Sequence, residues 1–354
     1  MAGRTMRGGG RPTLEQVAAL AGVGRGTVSR VINGSAKVSE QTRAAVQRAI
    51  ADLGYVPNRT ARALAAGSAD AVALVIPEPE TRLFAEPYFS GVIRGVSAAL
   101  SAADKQLLLA LIGTPQERER LSHYLSRDRV DGVLLVSVHQ DDPLPARLEQ
   151  LGLPVVLNGR RHAEEPLPYV DSDNTGGARA AVEHLLTRGR RAIATITGPL
   201  DMYVAQCRLD GWRQALTAAG LAEGPVAHGD FTEDGGRRAM RELLDQGRES
   251  GAAPDAVFVA SDLMAAGALQ VLRAAGLRVP GDVAVVGFED SPVARHMDPP
   301  LTSVRQPTEE MGQAMVRMLL DRLGEHPAGA GAGGTGRGTP SLVLPTDVVI
   351  RASG

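Results

Sequence analysis

The spacing of apolar residues separates a short helical segment near the start of the chain from a long remainder. Between residues 14 and 21, apolar positions recur every three or four residues, as they do on one face of a helix. Thr13, with Gln16 three residues later, has the pattern of an N-terminal capping box. After a glycine-containing turn, the apolar spacing predicts a second helix over about residues 25–32. The chain therefore begins with two short amphipathic helices joined by a tight turn.

A third amphipathic helix is predicted after Ser39, its N-cap, and it ends near Gly54. Two helices joined by a glycine-containing turn form the helix-turn-helix motif, whose second helix enters the major groove of DNA. We therefore expect residues 13–57 to form a DNA-binding domain. Residues 58–69 follow as a linker with room for one or two helical turns. Because so short a helix is marginal in water, the linker is expected to fold only when something holds it.

From residue 71 onward, continuous apolar strands alternate with helices. Strands of this kind imply parallel sheets covered by helices on both faces, and their two series predict two doubly wound subdomains. A glycine-rich segment at 324–341 cannot bury a core and is predicted to be a flexible loop before a last strand at 342–350. The predicted strands before it are 71–76, 106–111, 131–138 and 154–158, then 192–197, 226–231, 256–261 and 283–288.

Charge is unevenly distributed along the chain. Residues 1–66 hold ten Arg and Lys against three Asp and Glu, whereas the remainder is net acidic and brings the whole chain to −2. A basic head of this kind attracts phosphates. Residues 1–12 are rich in Gly and Arg and are predicted to be a disordered basic arm. They lack the apolar run of a signal peptide or membrane anchor. The single cysteine, Cys207, excludes an intrachain disulfide and fits a cytoplasmic location, and no apolar run is long enough for a membrane span.

Side chains suited to ligand binding follow the predicted strands of the body. Open parallel sheets bind ligands at the carboxyl ends of their strands. Six of the chain's eleven aromatic residues fall at such positions: Phe84, Tyr88, Phe89, Tyr203, Phe231 and Phe288. Polar groups with matching placement are Asn158, Asp201, Arg208, Ser261, Asp262, Glu289 and Asp290. Aromatic faces with paired donors and acceptors suit a sugar ring, although Asp and Ser at strand exits often serve only as helix caps.

The motifs of the head resemble those of a known family. TLEQVAALAGVGRGTVSRVING, followed by VSEQTRAAV and LGYVPNRTARALA, resembles the DNA-binding head and hinge of the LacI/GalR (lactose repressor) family of bacterial transcriptional regulators. The body is similar to that of periplasmic sugar-binding proteins, which this family shares. The resemblance implies an all-α helix-turn-helix head, a hinge helix at 58–69 and an α/β periplasmic-binding-protein-like body at 70–354. It also implies a homodimer that binds a palindromic operator and responds to a small sugar.

The resemblance also implies roles for individual residues. Leu64 falls on the hinge leucine that enters the minor groove, and packing of Leu64 on the body is the alternative. Ser261 replaces a common asparagine, and Glu289 stands where the family more often has aspartate. The implied DNA-binding residues are Thr13, Arg25, Gly26, Thr27, Ser29, Arg30, Asn33, Ser39, Thr42, Tyr55, Asn58, Arg59, Arg62 and Leu64. The implied effector-binding residues are Phe84, Tyr88, Phe89, Asn158, Asp201, Arg208, Phe231, Ser261, Asp262 and Glu289.

By the same resemblance, the chain crosses between the two subdomains three times. Residues of about 70–171 and 308–325 would form the subdomain next to DNA, and 172–304 with 340–354 the distal one. Within the family, LFAEPYFSGVIRGV and GPLDMYVAQCRLDGW look most like cellobiose-responsive repressors of high-GC bacteria. This implies cellobiose or a short β-linked gluco-oligosaccharide as effector, with an α-linked disaccharide such as maltose or trehalose as the alternative.

Two further classes of function are weighed against a repressor. A sugar-binding protein without DNA function would have no use for the basic helix-turn-helix. An enzyme is disfavoured because the chain has no nucleophile elbow and no paired general acid and base. The seven histidines lack the spacing of metal ligands, so neither a metal nor a cofactor is expected.

Overall fold

A computed structural model describes residues 12–32, 37–55, 69–324 and 341–354. The chain divides into two compact units, Met1–Ala69 and Asp70–Gly354. The predicted basic arm and most of the hinge and glycine-rich segments lie outside the described residues. The same holds for five predicted DNA-binding residues, which are Asn33, Asn58, Arg59, Arg62 and Leu64.

The first unit contains the helices α1 (Leu14–Ala21), α2 (Arg25–Ile32) and α3 (Glu40–Leu53). Both predicted caps are present: Thr13 and Gln16 form the reciprocal capping box of α1, and the Ser39 hydroxyl accepts from Thr42 N–H at the start of α3. One fully buried valine from each helix meets in the core, and each such burial contributes about 1.5–3 kcal/mol. These three residues are Val17, Val28 and Val46.

The second unit contains two six-stranded sheets whose strands are wound with helices. Its strands are β1 (Ala71–Ile76), β2 (Gln106–Leu111), β3 (Gly132–Leu135), β4 (Val155–Asn158), β5 (Tyr169–Ser172), β6 (Ile193–Thr197), β7 (Val226–His228), β8 (Ala256–Val259), β9 (Ala284–Glu289), β10 (Thr302–Arg305), β11 (Ser341–Leu344) and β12 (Asp347–Val349). Its helices are α4 (Glu80–Ala85), α5 (Pro87–Ala102), α6 (Pro115–Tyr124), α7 (Leu144–Gln150), α8 (Asn174–Thr187), α9 (Tyr203–Ala218), α10 (Glu233–Ser250), α11 (Asp262–Ala274), α12 (Pro292–His296) and α13 (Thr308–Leu323).

Each sheet belongs to one subdomain. The first subdomain has the strand order β11-β5-β4-β3-β1-β2, and the second has β12-β10-β9-β8-β6-β7. All strand pairs are parallel except β10 with β12. The central strands β3, β4 and β8 are buried along their whole length, which explains their continuous apolar sequences. Two doubly wound parallel-sheet subdomains, as predicted, are confirmed.

The chain passes between the two sheets three times, as the family resemblance implied. The first crossing follows β5, the second joins β10 to α13, and the third joins β11 to β12. Helix α13 therefore returns to the first subdomain and packs on α5, β4 and β5. Gly95 on α5 permits this close packing, because a Cβ there would lie 2.0 Å from the Glu309 carbonyl oxygen of α13.

The end of the chain differs from its prediction. Residues 342–350 were expected to form one strand of the distal subdomain. Pro345 and Thr346 instead separate β11, which pairs with β5 in the first sheet, from β12, which pairs with β10 in the second. Residues 341–344 therefore belong to the first subdomain, and the assignment of the whole of 340–354 to the distal one was wrong. Proline interrupts the strand because it cannot donate a ladder hydrogen bond.

Local pattern also left some elements unpredicted. The short helix α4 and the strand β5 were not expected, and β10 is another strand that the apolar runs did not indicate. Each is short and carries polar residues among its apolar ones. Among the described residues, no helix is both long and apolar enough to cross a membrane.

Candidate functional site

The outer face of α2 carries the residues predicted to read DNA. Val28 and Val31 point into the core of the head and fix the orientation of the helix. The opposite face is therefore turned to solvent, where it presents two arginines and no acidic residue of its own. The residues of this face are Arg25, Gly26 and Arg30, which are exposed, and Thr27 and Ser29, which are half-buried.

Four other predicted DNA-binding residues have local roles in the head. Thr13 and Ser39 are the caps of α1 and α3, and the Ser39 hydroxyl lies 2.8 Å from that of Thr42. All three remain at the surface, at helix N-termini where backbone N–H groups favour phosphate. Tyr55 is buried in the core of the head, which leaves little of its side chain for DNA. The assignment of Tyr55 to DNA contact is therefore withdrawn.

In the free head, Arg25 forms an ion pair with a residue of the same unit. Its guanidinium lies 3.3 Å from the Glu15 carboxylate, and both side chains are mostly exposed. Because Arg25 must leave this carboxylate to reach a base edge, Glu15→Gln should tighten operator binding about twofold to fivefold, as expected for an exposed ion pair. Fluorescence anisotropy with labelled operator measures the change. Asp52→Asn removes the same charge from α3, and equal tightening by Asp52→Asn would assign the effect to net charge instead.

The second unit contains a cleft of about 580 Å³, part of which is open to solvent, between its two sheets. Its walls come from segments that follow β1, β3, β4, β6, β7, β9 and β10, as expected for the carboxyl ends of parallel strands. The lining residues are Arg82, Glu86, Tyr88, Phe89, Ser137, Val138, Asn158, Gly159, Arg160, Asp171, Asn174, Met202, Val204, Arg208, Phe231, Glu289, Gln306 and Met311.

Arg208 lies at the centre of the second subdomain's wall. It is only 3% exposed, and its guanidinium is 3.8 Å from the centroid of the Phe288 ring. Its Nε donates to Asn174 Oδ1 at 3.0 Å, and one Nη donates to the Ala260 carbonyl oxygen at 2.5 Å. Burial lowers the pKa of Arg208, and the charge of Glu289 opposes that shift. The guanidinium is therefore rigidly held while donors remain for a ligand.

Two buried acceptor atoms in the cleft have no hydrogen-bond partner among the described residues. They are Glu289 Oε2 and Gln306 Oε1. The Gln306 amide is oriented by its Nε2, which donates to the Ser172 hydroxyl at 2.7 Å. Unpartnered buried acceptors cost about 1–3 kcal/mol each, so both are suited to accept hydrogen bonds from a ligand.

The backbone around Glu289 is strained. Glu289 has φ 115° and Asp290 has φ 50°, two consecutive non-glycine residues in the left-handed half of backbone space. Such conformations cost about 1–3 kcal/mol each and collect at functional sites. Burial, and then the carboxyls of Asp262 and Glu86, raise the pKa of Glu289 well above its ordinary value. A protonated Glu289 carboxyl can donate as well as accept a hydrogen bond.

Two of the three arginines that line the cleft are paired with carboxylates. Arg82 Nε donates to Glu86 Oε2 at 3.1 Å, and Arg160 Nε donates to Asp171 Oδ2 at 3.1 Å. Burial raises the pKa of Glu86 to about 7, although the charge of Arg82 opposes the shift. Because Arg82 and Arg160 are each paired with a carboxylate, two of the three guanidinium charges are already balanced, and the cleft favours a neutral polar ligand over an anionic one.

The cleft also has an apolar wall. Phe231 is buried, and its backbone has a φ of +64°. The guanidinium carbon of Arg208 lies 5.9 Å from the centroid of its ring, and that of Arg82 lies 5.6 Å from it. Gly198 makes room for this ring, because a Cβ there would lie 2.1 Å from a ring carbon. Apolar side chains of both subdomains continue the wall, and these are Phe89, Val138, Met202, Val204 and Met311. Beside them, the Tyr88 hydroxyl donates a short hydrogen bond to Asn158 Oδ1.

The structure brings part of the predicted effector site together. The predicted residues that line the cleft are Tyr88, Phe89, Asn158, Arg208, Phe231 and Glu289. Phe84 does not line it, because it lies on the outer face of α4 and is 81% exposed. Asp201 accepts from His139 at the edge of the cleft and is absent from its lining.

Ser261 and Asp262 were also placed in the effector site by resemblance, but both lie behind its wall. Ser261 caps α11, because its hydroxyl accepts from Met264 N–H at 3.2 Å. Asp262 is fully buried, and its carboxyl accepts from Ser291 N–H at 2.7 Å and from the Ser303 hydroxyl at 2.6 Å. Ser261 caps a helix and Asp262 holds residues at the ends of β9 and β10, and neither lines the cleft, so their assignment to the lining is corrected.

Asp262→Ala should therefore lower stability rather than abolish ligand binding. Two buried donors lose their acceptor, and each loss costs about 1–3 kcal/mol, so the free energy of unfolding should fall by about 2–6 kcal/mol. Denaturant unfolding measures this change. Asp298→Ala is the matched control, since its carboxylate is exposed and pairs with an exposed Arg273. If Asp262→Ala unfolds at the wild-type denaturant midpoint but no longer binds the ligand, Asp262 contacts the ligand instead.

Several lining residues were missed from the sequence. Arg82 lies on the unpredicted helix α4 and Glu86 directly follows it, and Asp171 and Gln306 lie at the ends of the unpredicted strands β5 and β10. Recognition of those strands would have found the last two. The missed polar residues of the lining are Arg82, Glu86, Ser137, Arg160, Asp171, Asn174 and Gln306.

Comparisons with known proteins agree with this architecture. Residues 13–58 match "Bacterial regulatory proteins, lacI family", and residues 182–354 match "Periplasmic binding protein-like domain". The HTH-type transcriptional regulator CelR of Thermobifida fusca is 54% identical over 97% of this chain and 98% of its own length. The ribose operon repressor of Escherichia coli (strain K12) is 35% identical over 88% of this chain and 93% of its own.

Solved structures show the same arrangement. A transcriptional regulator CelR-cellobiose complex is 53% identical, with a TM-score of 0.75 and coverage of 97% of this chain and 100% of the other. A Lac repressor dimer bound to operator and the anti-inducer ONPF is 28% identical, with a TM-score of 0.81 and coverage of 97% and 99%.

A helix-turn-helix unit and a two-sheet cleft on one chain define a ligand-responsive DNA-binding regulator. The extent and identity of the matches make the assignment specific. The chain belongs to the LacI family of bacterial regulatory proteins, and the resemblance found in its head is confirmed.

Proposed function

We propose that this protein is a homodimeric transcriptional repressor that binds a palindromic operator and is released from it by cellobiose or a short β-linked gluco-oligosaccharide. The observation that carries the sugar class is the pair of buried, unpartnered acceptors on Glu289 and Gln306, opposite an apolar wall. Sugar hydroxyls donate to such acceptors, and the C–H faces of the ring pack on aromatic and aliphatic side chains.

The choice of cellobiose is supported by similarity to CelR. The 54% identity over nearly the whole of both chains covers the cleft as well as the head. The CelR-cellobiose complex, 53% identical to this chain with a TM-score of 0.75, supports the same choice. The carboxylates paired with Arg82 and Arg160 support a neutral sugar rather than a sugar phosphate.

The proposed mechanism is a shift between open and closed arrangements of the two subdomains. A ligand that touches both walls favours the closed form, because only that form makes both sets of contacts. In the dimer, this change would misplace the two heads on their half-sites. Because the two binding equilibria are linked, the sugar must weaken operator binding by the same factor as the operator weakens sugar binding. This factor is typically about 5- to 150-fold.

The proposal is tested on the full-length protein. Its operator is first selected from random DNA, and anisotropy then follows the complex as cellobiose, cellotriose, maltose and trehalose are added. Cellobiose and maltose form a matched pair that differs only in linkage, and we expect cellobiose to dissociate the complex. Dissociation by maltose or trehalose alone would keep the mechanism and change the ligand, and tightening by cellobiose would reverse the direction of coupling. Chromatography of the recovered sugar separates a binding protein from an enzyme.

A further inference from the structure

The two subdomains meet directly at the edge of the cleft. His139, in the segment after β3, places Nδ1 2.6 Å from Oδ2 of Asp201, in the segment before α9. Beside this contact, Gln140 N–H donates to the Asp201 carbonyl oxygen at 2.9 Å. We call these two interactions the rim contact. Because β3 and β6 belong to different sheets, the rim contact exists only while the subdomains are close together.

The other ring nitrogen of His139 faces a second carboxylate. Nε2 lies 3.4 Å from Glu78 Oε1, which also accepts from the Ser137 hydroxyl at 2.5 Å and from Arg82 at 2.7 Å. Glu78 follows β1 and Arg82 lies on α4, so both belong to the first subdomain with His139. Burial alone would raise the pKa of Glu78, but its hydrogen bond with His139 and the charge of Arg82 lower it. The ring therefore stands between two carboxyl groups, one from each subdomain.

A neutral imidazole cannot serve both carboxylates. It has one N–H donor, so its other nitrogen would direct a lone pair at a carboxylate oxygen. An imidazolium donates from both nitrogens and carries the charge that Glu78 and Asp201 attract. We propose that His139 acts as a pH-dependent closure residue, which in its protonated form ties the subdomains together through Asp201 and thereby strengthens effector binding. This rests on the proposed function only in the identity of the effector.

The sign of the pH dependence follows from linkage. The hydrogen bond with Glu78 raises the pKa of His139 against the opposing effect of burial, and Asp201 raises it further. Opening removes Asp201 from the ring but leaves Glu78, so the pKa is higher in the closed form than in the open form. Protonated His139 therefore stabilises the closed form. This stabilisation is fully present below the pKa that His139 has in the open form, and it is lost as pH rises through the pKa that His139 has in the closed form. Since an unperturbed histidine titrates near pH 6.5, we expect the loss from about pH 6.5 upward.

The first test is calorimetric titration of the full-length protein with cellobiose at several pH values between 5.5 and 8.5. The wild-type dissociation constant should rise about threefold to tenfold across this range, which corresponds to a pKa difference of about half to one unit. His139→Gln and Asp201→Asn should each flatten the profile. His123→Gln, at an exposed histidine on α6, should keep the wild-type profile. If the dissociation constant of His139→Gln rises with pH as steeply as that of the wild-type protein, the proposal is overturned.

A second measurement follows the pKa of the His139 ring directly, first in the protein without sugar. NMR titration of the His139 ring should give a pKa above the ordinary value in the wild-type protein and a lower pKa in Asp201→Asn. Because opening removes Asp201 from the ring, the titration is repeated with saturating cellobiose, and an equal His139 pKa in the two proteins under both conditions overturns the closure role. A lowered pKa in Asp201→Asn combined with no cellobiose binding would instead support the rim contact and reject the proposed effector.

Discussion

A protein in which Arg208 is replaced by alanine is expected to keep its operator and lose its response to sugar. Arg208 is the buried cation of the second subdomain's wall, held by Asn174, the Ala260 carbonyl oxygen and the Phe288 ring. A sugar hydroxyl that accepts from it gains a hydrogen bond to a charged group, worth about 1.5–3 kcal/mol. Its removal should weaken sugar affinity roughly 10- to 150-fold and shift the dissociation of the operator complex to correspondingly higher sugar concentrations.

The buried position of Arg208 requires controls for folding. Arg213→Ala lies on the same helix, but its guanidinium is exposed and pairs with Asp210 and Glu223, so this variant should respond to sugar like wild type. Arg208→Lys keeps the charge but not the planar contact with Phe288, and an intermediate response is expected. Thermal unfolding of each variant is followed in parallel. An Arg208→Ala protein that remains folded and releases its operator at wild-type sugar concentrations would contradict the proposed site.

Replacement of Arg25 by alanine is expected to have the second large effect, this time on DNA. Arg25 is exposed at the first position of α2, where a recognition helix contacts base edges. Its guanidinium can bond to two acceptors of a guanine, and such a pair contributes about 1–3 kcal/mol of discrimination. Arg25→Ala should therefore weaken operator binding by that amount and relax base preference at one position in each half-site. Selection of bound DNA from a randomised pool measures both effects.

A phosphate-contacting arginine would behave differently. Its loss weakens binding equally on all sequences and reduces the salt dependence, without a change in base preference. Arg48→Ala on α3 is the control for net charge, since Arg48 is also exposed. If Arg25→Ala and Arg48→Ala give the same uniform weakening, Arg25 touches only phosphate. The hinge role of Leu64 remains a prediction from the family resemblance.

Contacts between residues close in sequence were predictable. The capping box of Thr13 and Gln16 and the cap of Ser39 span three residues each, and both form as expected. The strand β1 was predicted with its exact bounds, because a fully buried strand is recognisable from a continuous apolar run. Helix α4 was missed because it is shorter than two turns and follows proline and glutamate residues that indicate a loop.

Contacts between distant residues were harder to predict. Position at a strand exit indicated Arg208 and Phe231, which line the cleft, yet the same criterion selected Asp262 and Asp201, which do not. The four residues differ in the direction in which the side chain extends after the strand. Asp262 turns back to Ser303 on β10, and Asp201 turns outward to His139. Gln306 reaches the cleft because the chain crosses between the sheets at that point, and nothing in its neighbouring residues signals a crossing.

By itself, the sequence determined the helix-turn-helix head, the alternating strands and helices of the body, the family, and the class of ligand. The head and the alternation follow from spacing, caps and charge, which act over a few residues at a time. The family and the class of ligand follow from the resemblance of the motifs to the LacI/GalR family, with the aromatic and polar side chains at strand exits in agreement. Only the tertiary structure decided that Glu289 and Gln306 present unpartnered acceptors to one cleft, that the last strand is divided between two sheets, and that His139 meets Asp201 across the rim. These features join segments far apart in the chain, because three crossings place the strand ends of two separate sheets opposite each other.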